Sequence, residues 1–431
     1  MKEAAYARHL LASLGCDAPV TAEDRHPAVA WAESGAMALT GDAAGPAEIC
    51  PVPLASCAAG ALAALGALAG ERFSFDGAQL LGERAAIFGL GRQGAVSPGG
   101  SCRLLPCADG WLALNLARPE DRALLPAWLE QEIEFDWPAL ESALPRYETA
   151  PLVERGRLLG LALGPLALPP EDPPAWHRVL MTGPHRAPSK VPLVIDLTGL
   201  WAGPLAGHLL GLLGARVVKV ESLRRPDGAR LGPAAFYDLL NAGKASVALD
   251  FAGDEGRAQL RALLDVADIV LESARPRALE QLGIDAAALV AARPGLSWVS
   301  LTGYGRMPPQ SGWVAFGDDA AVAAGLSALL PRFAGRPIFC ADAVADPLTG
   351  LHAALAAWHS WLDGQSRLIA LSLHEVTAHC CSVTAPADPA EWEDMLDYAG
   401  IAAAAPYARP VAGAARPLGA DTAEILAALR C

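Results

Sequence analysis

The sequence predicts an α/β protein: an open, mostly parallel sheet with helices on both faces, plus a smaller α+β domain. Three observations carry this. From residue 193 onward, apolar runs of strand length alternate with helical stretches. Eight prolines between Gly164 and Pro192 separate that region from what precedes it. Ahead of the break, turn residues in "SPGG" and "ADG" flank two short strand-like runs.

The elements follow in order. Residues 27–92 read as helical. "SCRLL" and "GWLALNL" read as short strands, with helical segments at 119–131 and 148–162. Residues 164–192 read as a linker, because proline fixes φ and removes a backbone donor. Next, "PLVIDLTG" is a strand, "WAGPLAGHLLGLLGA" a helix opening on a Gly-Pro turn, and "RVVKVES" a second strand. That makes a βαβ unit with parallel strands. "SVALDF" (246–251), "ADIVLES" (267–273) and "LSWVSLTGYG" (296–305) continue the series, with helices at 255–266 and 277–292. A Rossmann-like sheet of this kind places ligand chemistry at the carboxyl ends of its strands. The organisation expected is a helical segment at 1–92 packing on the large domain, a small α+β domain at 93–163, a linker at 164–192, and the large domain at 193–431.

Composition narrows the function classes. The chain has 431 residues, 53% hydrophobic and 6% aromatic, so its core is mainly Ala, Leu and Val. A net charge of −14 argues against a nucleic-acid partner, which requires cations to neutralise phosphates. Lysine occurs only at 2, 190, 219 and 244. The charge-free stretch from Ile49 to Gly70 contains Pro51 and Pro53 and reads as a buried helix rather than a membrane span. The charged N-terminus lacks the unbroken apolar stretch of a secretion signal. Nine cysteines without a C-x-x-C pair point to a reducing cytoplasm and no zinc site.

The chain also repeats itself. Shifted by 290 residues without gaps, Gly35, Leu39, Gly45, Cys50, Gly60 and Leu65 fall on Gly325, Leu329, Gly335, Cys340, Gly350 and Leu355. In this register Ser56 lies opposite Asp346 and Val52 opposite Asp342, so one copy lacks both carboxylates.

The residues after 192 resemble class III CoA-transferases, the CaiB/BaiF group. "VIDLTGLWAGPLAGHLLGLLGARVVKVES", "NAGKASVALDF", "ADIVLESARPRALEQLGID", "LSWVSLTGYG" and "ADPLTGLHAALAA" occur in the family's order, and "ARPLGADTAEILAAL" is similar to its C-terminal tail. "SGAMALTG", "SPGGSCRLLPCADGWLALNLARPEDRALLPAWL" and "PLVERGRLLGLALGPL" resemble the family's later part, yet here they come first. Two truncated copies thus supply one full set of parts.

The resemblance implies CoA transfer between an acyl-CoA and a carboxylic acid through an aspartyl anhydride and an aspartyl-CoA thioester. It implies no tightly bound cofactor, acyl-CoA and a carboxylate as small-molecule partners, and a homodimer. The nucleophile matches Asp346 in "ADPLTG". Asp346-Pro347 is also a natural helix start, with Asp as N-cap and Pro at the first helical position. Asp342 reads as a loop or solvated acid. Gly99 and Gly100 match the family's glycine loop, whose N–H groups would stabilise an oxyanion. Trp201, Ala202 and Gly203 match the segment along the cofactor. Arg224 and Arg225 would meet its phosphates, with Lys244 and Arg275 similar in position. Ser273 begins a Ser-Ala pair where Asn-Phe is commoner. Tyr304 and Gly305 end a strand and are expected to line the same crevice.

Two other functions compete. An α-methylacyl-CoA racemase needs a His and an Asp on opposite faces of the α-carbon. The racemase spacing gives Phe316 in one copy and His26 in the other. A CoA-binding protein without catalysis is the second.

Overall fold

The computed structural model describes residues 1–71, 73–332 and 334–429. Seven strands form one mixed sheet: β4 (Arg178–His185), β5 (Leu193–Leu197), β6 (Arg216–Ser222), β7 (Ala245–Leu249), β8 (Ile269–Glu272), β9 (Ser297–Thr302) and β10 (Gln365–Ser372). Their spatial order is β4-β10-β9-β8-β5-β6-β7. All pairings are parallel except β4 with β10. Consecutive strands run outward from β5 in both directions, so the order reverses between β5 and β8. Beside the sheet stands a small antiparallel meander: β1 (Cys102–Pro106), β2 (Trp111–Asn115) and β3 (Ala162–Pro165). This is the α/β architecture expected, with the smaller α+β unit attached.

The parallel strands are rich in Val, Ile and Leu because both faces are covered. One face packs on helices Asp254–Val266, Pro276–Gln281 and Ala286–Ala292. The first is amphipathic and carries Asp254 and Glu255 in its opening turn, where the helix dipole favours them. The other face is covered by helices Ala202–Leu212 and Ala345–Asp363. The latter is nearly all buried and stops at Gly364, whose φ of 70° supplies the left-handed C-cap.

The linker expectation needs correction. Residues 164–192 include the end of β3 and all of β4. Proline excludes interior strands, but β4 lies at the sheet edge, and its pairing with β10 shifts register at irregular points. Pro184 therefore disrupts little there. The 277–292 helix is likewise two helices, broken after Gln281.

The N-terminal residues form helices Glu3–Ser13, Pro27–Glu33, Leu54–Ala69 and Glu83–Phe88. They pack on helix Ala345–Asp363 within the same core cluster as the sheet's covered face. The 290-residue repeat reappears as structure. Helix Pro27–Glu33 falls on helix Gly317–Ala323, and Leu54–Ala69 falls on Ala345–Asp363. A further register extends it: shifted by 199, Ala7, His9, Leu10, Leu11, Leu14 and Gly15 fall on Ala206, His208, Leu209, Leu210, Leu213 and Gly214. The packing matches too. A Cβ on Gly60 would meet the Glu3 carbonyl oxygen at 2.7 Å, and one on Gly350 would meet the Ala202 carbonyl oxygen at 2.6 Å. Glu3 and Ala202 are themselves 199 apart. The N-terminal segment is thus a second copy of the helical layer with the sheet between its helices excised. It is stacked against the copy that keeps the sheet, and the repeat-mates Cys50 and Cys340 are both buried in the shared core.

Candidate functional site

A cavity of about 380 Å³ opens at the carboxyl ends of β5, β8, β9 and β10. It lies where the strand order reverses, the position open α/β sheets favour for ligands. A larger groove of about 780 Å³ runs along helix Leu54–Ala69, remote from the carboxylates considered below.

Asp346 lines the cavity in the first turn of helix Ala345–Asp363. The N-cap is Val344 and no side chain caps the helix, so Asp346 is not the capping residue its sequence context suggests. Its Oδ2 lies against Gly317, where a Cβ would come within 2.3 Å. Burial pushes its carboxyl up to about 7. The Arg84 guanidinium and the Ala202 main-chain N–H oppose that shift, while Asp318 and Asp342 add to it. The group therefore titrates near neutrality, and the ionised form is held by one cation, one backbone donor and the helix N-terminus.

The turn before this helix is strained. Ala341 and Ala343 have φ of 53° and 45°, the left-handed region. It is pinned from two sides: Ala341 N–H donates to Thr40 Oγ1 at 2.9 Å, and Ala343 N–H donates to Asp318 Oδ1 at 2.9 Å. Between them, Asp342 is fully buried and accepts from Arg84 Nη1 at 2.6 Å. This corrects the reading of Asp342 as a solvated acid. Its Oδ2 has no partner among the described residues. Burial raises the Asp342 carboxyl to about 7, with Arg84 opposing. Burial raises Asp318 as well and takes Asp319 to about 8.

Arg84 is the residue the sequence reading missed. It comes from helix Glu83–Phe88, lines the cavity, and stands over the Phe88 ring at 5.2 Å. Nothing local marks it; only the packing of the N-terminal copy brings it across 258 residues to Asp342.

The other expected residues divide. Trp201, Ala202, Gly203 and Ser273 line the cavity. Trp201 is edge-on to Phe236, which is edge-on to Phe88, giving an apolar wall. Trp201 Nε1 is buried without a partner among the described residues. Leu200 has φ of 67° and donates its N–H to Asp227 Oδ1 at 2.9 Å, which fixes the turn. Gly99 and Gly100 are exposed in a turn beside the site, and Arg84 Nη2 would lie 2.9 Å from a Cβ on Gly99. The Gly100 N–H donates to the Ser97 carbonyl at 2.8 Å, so it is not the free oxyanion donor expected.

Lys244 is turned inward: Nζ binds Asp196 Oδ2 and the Pro204 carbonyl, both at 2.8 Å, so it does not offer its ammonium to a phosphate. Arg224 is exposed and pairs with Asp250 at 3.1 Å. Arg225 and Arg275 are exposed and have no ion pair among the described residues. Tyr304 is buried away from the cavity and donates to the Leu163 carbonyl at 3.2 Å, joining the two sheets. Gly305 is beside it with φ of 137°; Thr302 and Gly303 line the cavity instead. His26 caps helix Pro27–Glu33, accepting from Ala28 N–H at 3.3 Å, and packs on Trp392. It is not part of the cavity wall, whereas Phe316 is.

Among the described residues, no helix is long and apolar enough to cross a membrane. Nor does any group of three His, Cys, Asp or Glu side chains suit a metal ion.

The class the fold and site define is an open α/β sheet with a half-buried aspartate at its switch point, lining a largely apolar cleft together with one arginine. Comparison with known proteins makes this specific. Residues 192–408 match the model of CoA-transferase family III. The chain is 31% identical over 200 residues to the succinate–glutarate CoA-transferase of Agrobacterium fabrum, covering 42% of this chain and 50% of that protein. It is 30% identical over 194 residues to the succinyl-CoA–D-citramalate CoA-transferase of Chloroflexus aurantiacus, covering 42% and 48%. A crystal structure of a CaiB/BaiF family protein from Brucella suis shares 26% identity at a TM-score of 0.41, covering 51% of this chain and 59% of that one. The chain belongs to CoA-transferase family III. It spans about half the length of the curated relatives it matches.

Proposed function

We propose that the protein transfers CoA from an acyl-CoA to a carboxylic acid, with Asp346 as the nucleophile. The observation that carries this reading is the Asp346 carboxyl lining an apolar cavity, under the opposing pull of burial and Arg84. In the steps proposed, an Asp346 oxygen attacks the thioester carbonyl. The C–S bond breaks, leaving an acyl-aspartyl anhydride and CoA thiolate. The thiolate attacks the aspartyl carbonyl, releasing the donor acid and forming an aspartyl-CoA thioester. The acceptor carboxylate attacks that thioester, giving a new anhydride and thiolate. The thiolate then takes the acceptor acyl group and frees Asp346. Charge is carried from carboxylate to thiolate and back, so no net proton is needed.

Trp201, Phe236 and Phe88 support the reading as a wall for the pantetheine or acyl chain. Exposed Arg225 and Arg275 follow the carboxyl ends of β6 and β8, the two neighbours of β5, and are cations available to phosphate. The racemase reading lacks its base, since Phe316 stands where the His would be.

The test is mass spectrometry of the protein treated with a panel of acyl-CoAs, then hydroxylamine. Modification at Asp346, absent in Asp346→Asn, is the expected result. CoA binding without any adduct or transfer would leave the binding protein as the better reading.

A further inference from the structure

We propose that Arg84 docks the carboxylate of the acceptor acid and, as the only cation in the cavity lining among the described residues, selects apolar monocarboxylates over dicarboxylates. This rests on the transferase reading for its reaction, but not for the binding itself.

The geometry is specific. Arg84 spends one N–H, from Nη1, on Asp342 at 2.6 Å. Its Nε and Nη2 have no protein acceptor among the described residues. A guanidinium offers five donors in a planar fork, so an open edge remains for a carboxylate. The Phe88 ring supports the guanidinium at 5.2 Å. Gly99 leaves Nη2 uncovered, because a side chain there would start at 2.9 Å. Arg84 and Asp346 line the same cavity, so a carboxylate held on the free edge shares that space with the aspartyl carbonyl.

The rest of the lining sets the selection. Asp318 and Asp346 are its carboxylates, while Phe88, Trp201, Phe236, Leu301 and Leu373 are apolar. A second carboxylate on the acceptor would find no second cation and would face Asp318. Desolvating it without a partner is unfavourable. An acid with one carboxylate and an apolar chain meets both parts of the wall. In the step this serves, a carboxylate oxygen forms a bond to the aspartyl-CoA carbonyl carbon as the C–S bond breaks. Arg84 holds the second oxygen and neutralises the incoming charge.

Two measurements separate this proposal from the function it builds on. The first is binding of butyrate, hexanoate, succinate and glutarate to the free protein by calorimetry, without CoA. The wild type is expected to bind the monocarboxylates more tightly, and Arg84→Gln to lose roughly 10- to 150-fold in affinity. The second is transfer kinetics, where Arg84→Gln should raise the acceptor KM by a similar factor while the acyl-CoA KM changes less than about 3-fold. Arg84→Lys should recover part of the loss, and Gly99→Ala should raise the acceptor KM by crowding the fork. The double variant Arg84→Gln/Asp342→Asn removes the buried acid with its partner, and keeps the test open if the single variant does not fold.

Tighter binding of dicarboxylates, or acceptor affinity unchanged in the arginine variants, overturns the proposal. Loss of carboxylate binding in Arg84→Gln with no CoA transfer by the wild type would uphold docking and remove the transferase reading. Transfer that is intact with an unchanged acceptor KM would do the reverse.

Discussion

Asp346 illustrates how one side chain is set by competing local forces. Burial favours its neutral form, and Arg84, the Ala202 N–H and the helix N-terminus favour the anion. With the carboxyl near 7, the ionised fraction grows as pH rises through neutrality. The first half-reaction, followed as release of CoA thiol from acyl-CoA in single turnover, is therefore expected to rise from pH 5.5 and level off above about 8. A pH-independent rate would show that Asp346 ionisation does not limit it. Asp346→Asn should abolish adduct formation while remaining folded. It should also melt higher than the wild type at pH 8, because it removes a buried charge; circular dichroism melts would show it. Gly317→Ala should lower activity, since its Cβ would meet Asp346 Oδ2 at 2.3 Å and the Ala343 carbonyl at 2.5 Å.

At the scale of elements, the site depends on a short helix and the strap that holds it. Helix Glu83–Phe88 carries Arg84 and is anchored by buried Glu83, which accepts from Arg409 Nη2 at 2.9 Å. Residues 404–409 cross the N-terminal copy: Ala404 N–H donates to the Ala32 carbonyl at 2.8 Å, and Pro406 packs on Gly35 and Gly82. Removing one partner of a buried pair leaves the other charge stranded. Arg409→Ala is thus expected to lower stability by about 3–5 kcal/mol, read from urea unfolding. It should also weaken transfer through Arg84. Both effects absent would mean the strap is ornamental. The two glycines where helices of each copy cross form a matched pair. Gly60→Ala and Gly350→Ala should each destabilise by about 1–3 kcal/mol, since a Cβ would strike backbone in both.

For the whole molecule, buried ionisable groups set a pH profile. Glu3 and Asp342 are raised to about 7, and Asp319 to about 8, in each case by burial first. Their folded values exceed the unfolded ones, so the folded chain keeps protons that the unfolded chain has released. Stability from this source falls as pH rises toward 7–8. Burial lowers His177 and His379 to about 4, so the unfolded chain takes up protons first as pH falls below 6.5. That source of stability is lost on acidification. The two effects oppose each other between about 4 and 6.5; from 6.5 to about 8 the acids dominate, and above 8 stability begins to recover because burial lowers Lys244 to about 8 while the unfolded chain keeps that proton. Thermal melts from pH 4 to 9 should show a maximum near pH 5–6 and a decline to pH 8, over the span in which activity rises. A melting temperature still climbing between pH 6.5 and 8 would contradict this.

Much of this was legible in the chain. The parallel strands announced themselves as Val- and Ile-rich runs at regular spacing, because period and burial are local properties. "ADPLTG" placed Asp346 at a helix start, "LWAGP" placed the turn on the cleft, and the fixed 290-residue offset marked the duplicated helices. The edge strand β4 was hidden by its proline, since only position at the edge makes a missing donor tolerable. Lys244, Tyr304 and Asp342 were misplaced because exposure is decided by what packs above a residue, not by its neighbours in sequence. Arg84 was invisible for the same reason. The sequence by itself determined the parallel strands after residue 192 and most of the helices between them, and it put Asp346 at a helix start. Tertiary structure alone decided which cation faces it, because long-range ion pairs form only where packing brings distant segments together and excludes water.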